Sequence, residues 1–143
     1  MSKLRRSILA VLLSLTLVTT TVTAAGLFDK SEVAQLATKY EYADFPKRED
    51  ILAVIQVESR FDPKAHNRKS QGLMQVNNGG FEVEGNIKKG SALLHSCYKE
   101  TGSEKGALLC YNVGLGGYKR GHGKVAYFKK VREAKALVIL EGL

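Results

Sequence analysis

The sequence predicts one mainly helical domain with a small β element. Apolar residues recur at helical spacing on both sides of a polar, glycine-rich segment at residues 64–85. That segment has the composition of loops around a short hairpin or irregular strand pair, which we expect to contain residues 73–76. The length of 143 residues suits one domain with a modest core, and no stretch resembles an interdomain linker.

Residues 1–25 have the composition of a secretory signal peptide. Lys3, Arg5 and Arg6 precede an apolar run at residues 8–18, and small residues before position 26 suit a cleavage site. An uncleaved N-terminal anchor is the alternative, but serine and threonine interrupt the apolar run, and no nearby cysteine indicates a lipoprotein. We therefore expect a mature chain of residues 26–143, periplasmic or secreted, with no stable membrane insertion after cleavage.

The charge balance favours an anionic partner. The formal net charge is +8, and loss of the three basic residues of the signal segment leaves +5. Basic residues are dispersed among acidic ones without a nucleic-acid motif, so we do not expect nucleic acid as a partner. Export makes the cell wall, with its peptide carboxylates, the better candidate.

Two helices are predicted before the glycine-rich segment. Ser31 can cap a first helix that runs to about Tyr42. Pro46 suits the first turn of a second helix, which ends with Glu58. The pair at residues 62–63, Asp-Pro, stops this helix because proline disfavours helical geometry in the residue before it.

Three helices are predicted after the glycine-rich segment. Asn86 can cap a helix that ends at Gly102, and the next helix ends near Gly114. Residues 114–123 contain five glycines and are predicted to form a turn-rich loop. A final basic helix is predicted over residues 124–139.

Glu58 is the first candidate for a catalytic residue. It lies on the same helical stripe as the apolar Val54 and Ile55. Apolar surroundings disfavour a carboxylate anion, which raises the pKa of the acid toward the range useful for a general acid. A lone glutamate at a helix end more often turns to solvent, so the stripe alone leaves both interpretations open.

Motifs in both halves of the chain decide between these interpretations. The chain reads Glu-Ser-Arg-Phe-Asp-Pro from Glu58, then Ala65, then Gly-Leu-Met-Gln from Gly72. The later motifs are, in chain order, Asn86-Ile87 with Gly90, Ala107-Leu108 with Tyr111-Asn112-x-Gly114, and Tyr127 with Lys130-Val131. Together they resemble the catalytic domain of the soluble (SLT) type of lytic transglycosylase, a relative of goose-type lysozyme, over about residues 45–136.

The resemblance implies a lysozyme-like fold, with a helical bundle around a cleft and a small β-hairpin. It implies peptidoglycan glycan strands as substrate and Glu58 as the catalytic residue, with Ser59 and Gly72 in supporting roles. The implied substrate-binding residues are Met74, Gln75, Tyr111, Asn112 and Tyr127. Met74 could equally fill the core, and a tyrosine could pack there with its hydroxyl satisfied. Tyr127 or Tyr111 could also hydrogen-bond Glu58 or the N-acetyl group of the substrate.

The resemblance also implies a mechanism with one carboxylic acid. Glu58 would protonate the oxygen between N-acetylmuramic acid (MurNAc) and N-acetylglucosamine (GlcNAc). It would then deprotonate the muramic C6 hydroxyl, which closes a 1,6-anhydro ring. A muramidase of the same fold, in which water attacks, is the nearest alternative; a wall-binding or assembly protein that does not cleave glycan is another.

The sequence does not reveal a second carboxylate for catalysis. Asp62 follows Glu58 by four residues, but the family also accepts asparagine there, which would serve neither as nucleophile nor as base. Glu82 and Glu84 are typical of solvated loop charges. No metal or cofactor is expected, since the three histidines show no ligand spacing.

Cys97 and Cys110 flank the turn expected at Gly102. Export would let a disulfide between them persist. The family usually has alanine in place of Cys110, which favours two buried thiols instead. The sequence leaves both states open. It also leaves open whether the protein serves general wall remodelling, a secretion apparatus, a conjugation system or phage lysis.

Overall fold

The computed structural model describes residues 29–143, so the predicted signal segment lies outside the described residues. These residues form helices joined by short loops and one antiparallel sheet of two-residue strands in the order β1-β2-β3. The elements are, in chain order, α1 (Lys30–Lys39), α2 (Arg48–Glu58), β1 (His66–Asn67), β2 (Ser70–Gln71), β3 (Val76–Asn77), α3 (Val83–Thr101), α4 (Glu104–Lys119) and α5 (Val125–Leu140). The predicted fold class, mainly α with a small β element, is confirmed. None of the helices in residues 29–143 has the length and apolarity needed to cross a membrane.

Helix α2 is the core helix that carries Glu58. Residues 51–55 are all fully buried, so the helix is apolar around most of its circumference rather than along one stripe. It packs against α1 and α5. Asp50 in its first turn is buried and pairs with Lys135 of α5 at 2.7 Å. These contacts fix the position of α2 and thereby that of Glu58 at its end.

Helix α1 begins and ends earlier than the sequence indicated. Asp29, not Ser31, is its cap, because the Asp29 carboxylate accepts a hydrogen bond of 2.8 Å from the backbone N–H of Ser31. The helix ends at Lys39 rather than near Tyr42.

The start of α3 corrects the assignment of Asn86. Glu82 is the cap, and its carboxylate accepts hydrogen bonds from the backbone N–H groups of Glu84 and Gly85. Asn86 lies in the first turn of the helix and is 1% exposed. An asparagine is a common helix cap, but here its amide has a tertiary role instead.

The Asn86 side chain fastens the segment between β2 and β3 to α3. Its Oδ1 accepts a hydrogen bond of 2.8 Å from the backbone N–H of Met74. Its Nδ2 donates to the carbonyl oxygens of Gln71 and Gly80, both at 2.8 Å. Residues 73–75 therefore belong to a turn held from inside the protein, within the hairpin of β2 and β3 that the sequence had predicted around residues 73–76.

Helix α4 continues through part of the segment that was predicted to be a turn-rich loop. At Gly114 the backbone has φ 74° and ψ 157°, so the helix is kinked there and resumes to Lys119. Glycine adopts this left-handed φ without a steric penalty. The glycine content was a misleading signal, because each glycine costs a helix only about 1 kcal/mol, which tertiary packing can offset.

A disulfide joins Cys97 of α3 to Cys110 of α4. The two cysteines are 13 residues apart and enclose the turn at Gly102, whose φ is 71°. A loop of this length gives a stabilisation of about 3 kcal/mol in the loop-entropy model. The bridge therefore ties together the two helices that form one side of the cleft described below.

Candidate active site

A cleft of about 810 Å³ lies between the small sheet, helices α3 and α4 and the end of α2. The residues that line it are Glu58, Asn67, Ser70, Gln75, Val76, Asn77, Lys89, Leu93, Tyr111, Asn112, Val113 and Gly114. Its volume lies in the range of ligand sites in proteins. Among these lining residues Glu58 is the only carboxylic acid, and Lys89 is the only basic residue.

Glu58 is the last residue of α2 and is partly buried at the wall of the cleft. Arg60 and Phe61 follow with positive φ angles of 53° and 64°, which turn the chain sharply after the helix. Two successive non-glycine residues in this region are unfavourable, and such strain is concentrated at functional sites. The turn leaves Glu58 at the end of a buried helix with its carboxyl group at the cleft.

The environment of Glu58 favours its protonated form. Burial raises the pKa of the Glu58 carboxyl group, and a hydrogen bond from Tyr127 partly offsets this rise. The Tyr127 hydroxyl donates this bond to Oε1 at 2.6 Å. A carboxylic acid that keeps its proton closer to neutral pH is what general acid catalysis requires.

Tyr127 contacts Glu58 from within the protein. It is 8% exposed and does not line the cleft, so it contributes to the site through Glu58 and not as a wall for a saccharide. Burial raises the pKa of Tyr127, and the adjacent Glu58 carboxylate raises it further. Its hydroxyl therefore stays protonated and acts as the donor in this bond.

Tyr111 and Asn112 lie side by side on the α4 wall. The Tyr111 hydroxyl donates a hydrogen bond of 2.7 Å to the carbonyl oxygen of Met74, while Tyr111 also lines the cleft. Burial, and then the charge of Glu58, raise the pKa of Tyr111, so this hydroxyl also remains a donor. Asn112 is exposed in the cleft, and within residues 29–143 its side chain has no hydrogen-bond partner.

Met74 is a core residue, which corrects the expectation that its side chain lines the cleft. It is fully buried, and a side chain added at Gly90 of α3 would collide with its sulfur. The absence of a Cβ at Gly90 therefore makes room for Met74. Met74 contributes to the site through its backbone, which is bonded to Asn86 on one side and Tyr111 on the other.

Gln75 follows Met74 and reaches the cleft. Its Nε2 donates to the carbonyl oxygens of Ala65 and Gly72, both at 2.9 Å. Its Oε1 has no donor among the described residues. The amide is thus held in one orientation with an acceptor left for a ligand.

Ser59 and Gly72 have structural positions beside the site. The Ser59 hydroxyl donates to the carbonyl oxygen of Ile55 at 3.1 Å and braces the end of α2. Gly72 has φ 76°, and a side chain there would collide with the Asn86 amide. Both residues keep backbone segments in place around Glu58 and Gln75.

The sequence did not reveal several residues that line the cleft. Asn67, Ser70 and Asn77 reach it from the three strands, and Lys89 and Leu93 reach it from α3. Two-residue strands leave no periodic signal, because they are too short to show an alternating pattern. The arrangement of His, Cys, Asp and Glu in residues 29–143 offers no group of three or more that could hold a metal ion.

A helical domain with a partly buried glutamic acid at a cleft, beside a small sheet, agrees with the lysozyme-like fold that the resemblance implied. Residues 35–83 match the family model described as "Transglycosylase SLT domain". The match includes Glu58, Ser59 and Gly72 and ends before α4. Neither the curated proteins nor the solved structures gave a match. The match supports a soluble lytic transglycosylase domain of the SLT type, and it confirms the resemblance found in the sequence as far as that resemblance lies within residues 35–83. Such a domain indicates lytic transglycosylase activity on peptidoglycan.

Proposed function

We propose that this protein is a peptidoglycan lytic transglycosylase that cleaves the β-1,4 bond from MurNAc to GlcNAc without water and leaves a 1,6-anhydroMurNAc end. The observation that carries the proposal is the single carboxylic acid, Glu58, among the residues that line the cleft. Most glycosidases that hydrolyse their substrate divide the work between two carboxyl groups that flank the bond. A cleft with one carboxyl group suits a reaction in which the nucleophile comes from the substrate.

The proposed reaction uses Glu58 twice. The protonated Glu58 gives its proton to the glycosidic oxygen, the bond from C1 of MurNAc breaks, and GlcNAc leaves with a free C4 hydroxyl. The Glu58 carboxylate then takes the proton of the muramic C6 hydroxyl, and O6 forms a bond with C1. Glu58 ends protonated as it began, and no water enters the balance. The nucleophile belongs to the same sugar, which gives the step the advantage of proximity.

The neighbouring side chains have roles that follow from their contacts. Tyr127 orients Glu58 and stabilises the carboxylate formed after proton transfer, since its hydroxyl can only donate to that anion. Gln75 presents an acceptor, and Asn112 an amide, to the acetamido groups of the glycan. Tyr111 offers a flat apolar face for a sugar ring.

The second candidate is a muramidase of the same fold, in which water attacks C1 and a reducing end forms. A third is a wall-binding or assembly protein that holds glycan without cleaving it. The raised pKa of Glu58 supports catalysis over binding alone, because binding a neutral glycan does not require a desolvated acid.

Analysis of the products separates these candidates. Residues 26–143 are incubated with purified sacculi in ¹⁸O-labelled water, and the released muropeptides are identified by mass spectrometry. A transglycosylase gives unlabelled anhydro ends, each lighter by one water molecule than the hydrolysed product and inert to borohydride. A muramidase gives labelled, reducing ends, and a binder gives no soluble product. The Glu58→Gln variant shows which products depend on this enzyme.

Export to the periplasm or the medium is part of the proposal, since the substrate lies outside the cytoplasm. The supporting observation is the signal-like composition of residues 1–25. Intact-mass analysis of protein recovered from an exporting cell should show a chain that starts near Ala25 or Gly26. A chain in the membrane fraction that retains Met1 would contradict cleavage.

A further inference from the structure

The turn between β1 and β2 carries two adjacent basic residues, Arg68 and Lys69. Asn67 pairs with Ser70, so these two residues form the whole loop of a tight hairpin, which we call the hairpin tip. Arg68 has a positive φ of 54°. Two-residue hairpin loops favour glycine, asparagine or aspartate, because these tolerate positive φ. An arginine at this positive φ is therefore unfavourable for the turn itself, and a local conflict of this kind is typical of functional positions.

The hairpin tip adjoins the cleft. Arg68 and Lys69 line a cavity of about 520 Å³, and the other residues of that cavity are Asn67, Ser70 and Asn77. These three residues also line the cleft that contains Glu58, so the two spaces share a wall. The basic side chains thus stand beside the cleft and not within it.

Within the part of the chain that the structure describes, no carboxylate forms a salt bridge with the hairpin tip. Within residues 29–143, neither Arg68 nor Lys69 forms a salt bridge, and Lys89 on the α3 wall donates only to the carbonyl oxygen of Gly79, at 3.2 Å. The acids that flank this segment in the chain accept hydrogen bonds from backbone N–H groups and not from the hairpin tip. Asp62 accepts from the backbone N–H of Lys64, and Glu82 caps α3. The edge of the cleft therefore has a positive potential available to a ligand.

We propose that the hairpin tip, with Lys89, binds carboxylates of the peptide stems on the glycan strand that occupies the cleft. This inference rests on the proposed function. The hydroxyl and acetamido groups along a glycan strand are neutral, so they suit the amides of Gln75 and Asn112. The peptide stems carry the carboxylates, and they branch away from the sugar backbone, toward the edge of a cleft that holds it. A guanidinium and an ammonium group are the donors that carboxylates prefer.

The test compares binding to two forms of one substrate. All proteins carry Glu58→Gln, so that binding is measured without cleavage. The ligands are uncross-linked glycan strands with their stems, and the same strands after an amidase has removed the stems and the muramic carboxylates exposed by that cleavage have been converted to amides. The test variant is Arg68→Ala with Lys69→Ala, and the matched control is Lys129→Ala with Arg132→Ala on the exposed side of α5. The control also removes one lysine and one arginine, and these residues line neither the cleft nor the cavity at the hairpin tip.

The measured quantity is the ratio of the two dissociation constants, stripped strands over stem-bearing strands. We expect the parent to prefer stem-bearing strands, which gives a ratio above one. In the test variant the ratio should be about fivefold lower, because exposed ion pairs contribute free energies of this size. The preference of the parent should also fall as salt is raised. Equal ratios in the parent and the test variant, or an equal loss in the control, would overturn the proposal.

A second arm leaves the protein unchanged. Stem-bearing strands whose carboxylates have been converted to amides should bind the parent no better than stripped strands, and better binding would contradict the role of the carboxylates. This arm decides the question even if the test variant does not fold. Failure of the proposed function is visible separately, because it would appear as the absence of anhydro ends when protein with intact Glu58 acts on stem-bearing strands.

Discussion

The hydroxyl of Tyr127 donates a hydrogen bond of 2.6 Å to Oε1 of Glu58, although the two residues are 69 positions apart in the chain. The bond connects α5 to the end of α2, two helices that also pack along their length. The orientation of the proposed catalytic acid is therefore set by the last helix of the domain. The hydrogen bond from Tyr127 also lowers the pKa of Glu58, whereas burial of the carboxyl group raises it.

Replacement of Tyr127 by phenylalanine should raise the pKa of Glu58, because the bond that lowers it is lost. Activity that needs protonated Glu58 should then extend to higher pH. We expect kcat to fall roughly tenfold, the scale of one charge-assisted hydrogen bond, with little change in KM. The pH profile of kcat/KM on soluble glycan strands measures the shift. If the basic limb of the variant's pH profile stayed at the parent's position or moved to lower pH, the proposed role of Tyr127 would be contradicted.

Replacement of Glu58 by glutamine should lower activity roughly 100-fold or more, because the amide can neither give nor take the proton. The matched control is Asp62→Asn, which lies in the following exposed loop and should retain substantial activity. Turnover of muropeptides by purified protein measures both. A loss in Asp62→Asn as deep as in Glu58→Gln would indicate a hydrolase with two carboxylates.

The same Glu58→Gln variant should also differ from the parent in stability, in a pH-dependent way. The pKa of Glu58 in the fold is raised above the unfolded value of 4.5, so the fold binds the proton more tightly than the unfolded chain. The parent then has its full stability below pH 4.5 and loses part of it as pH rises through the folded pKa. Glutamine does not titrate, so denaturant unfolding should show a stability gain for the variant that grows over this window. A variant that becomes relatively less stable as pH rises would show that Glu58 is not desolvated.

Replacement of Asn86 by alanine should lower the free energy of unfolding by about 3 kcal/mol, because one buried and two partly buried backbone groups lose their partner. Denaturant titration measures the change. The control is Asn112→Ala, which removes the same side chain from an exposed position and should change stability by less than about 0.5 kcal/mol. Equal effects in the two variants would contradict the role of Asn86 in holding the β2–β3 turn.

Removal of the Cys97–Cys110 disulfide should lower stability by about 3 kcal/mol, as expected for a loop of this length. The double variant Cys97→Ala, Cys110→Ala is compared with the parent by thermal and denaturant unfolding. Alkylation of the non-reduced parent provides the check on the bridge itself. Uptake of two alkyl groups would mean that the cysteines are free.

Local signals in the sequence predicted the helical architecture well. Helix α2 was expected to end with Glu58, and α5 was predicted over residues 124–139 and observed at Val125–Leu140. Both helices have strong local signals, namely an apolar pattern and a proline or glycine at the boundary. The clearest errors arose at residues with two possible roles, because Asn86 is as good a cap as it is a tertiary anchor.

The candidate site was only partly predictable because long-range contacts define it. The sequence identified Glu58, Gln75, Tyr111 and Asn112, and all four line the cleft. It assigned Met74 to the same wall, although the space beside Gly90 places that side chain in the core. The resemblance left open whether Tyr127 or Tyr111 hydrogen-bonds Glu58, and the packing of α5 against α2 gives this bond to Tyr127. These outcomes depend on how α3 and α5 pack, which no short motif encodes.

The position of Glu58 as the final residue of α2 has an electrostatic consequence. Peptide dipoles align along a helix, so its carboxyl end has a partial negative charge of about half an elementary unit. This field disfavours an anion at Glu58 and favours a cation beside it, each by about 0.3–1 kcal/mol near a surface. The sugar ring in glycosidic cleavage gains positive charge as its bond breaks. The backbone of α2 would therefore stabilise the positive charge that develops on the sugar ring as Glu58 gives up its proton.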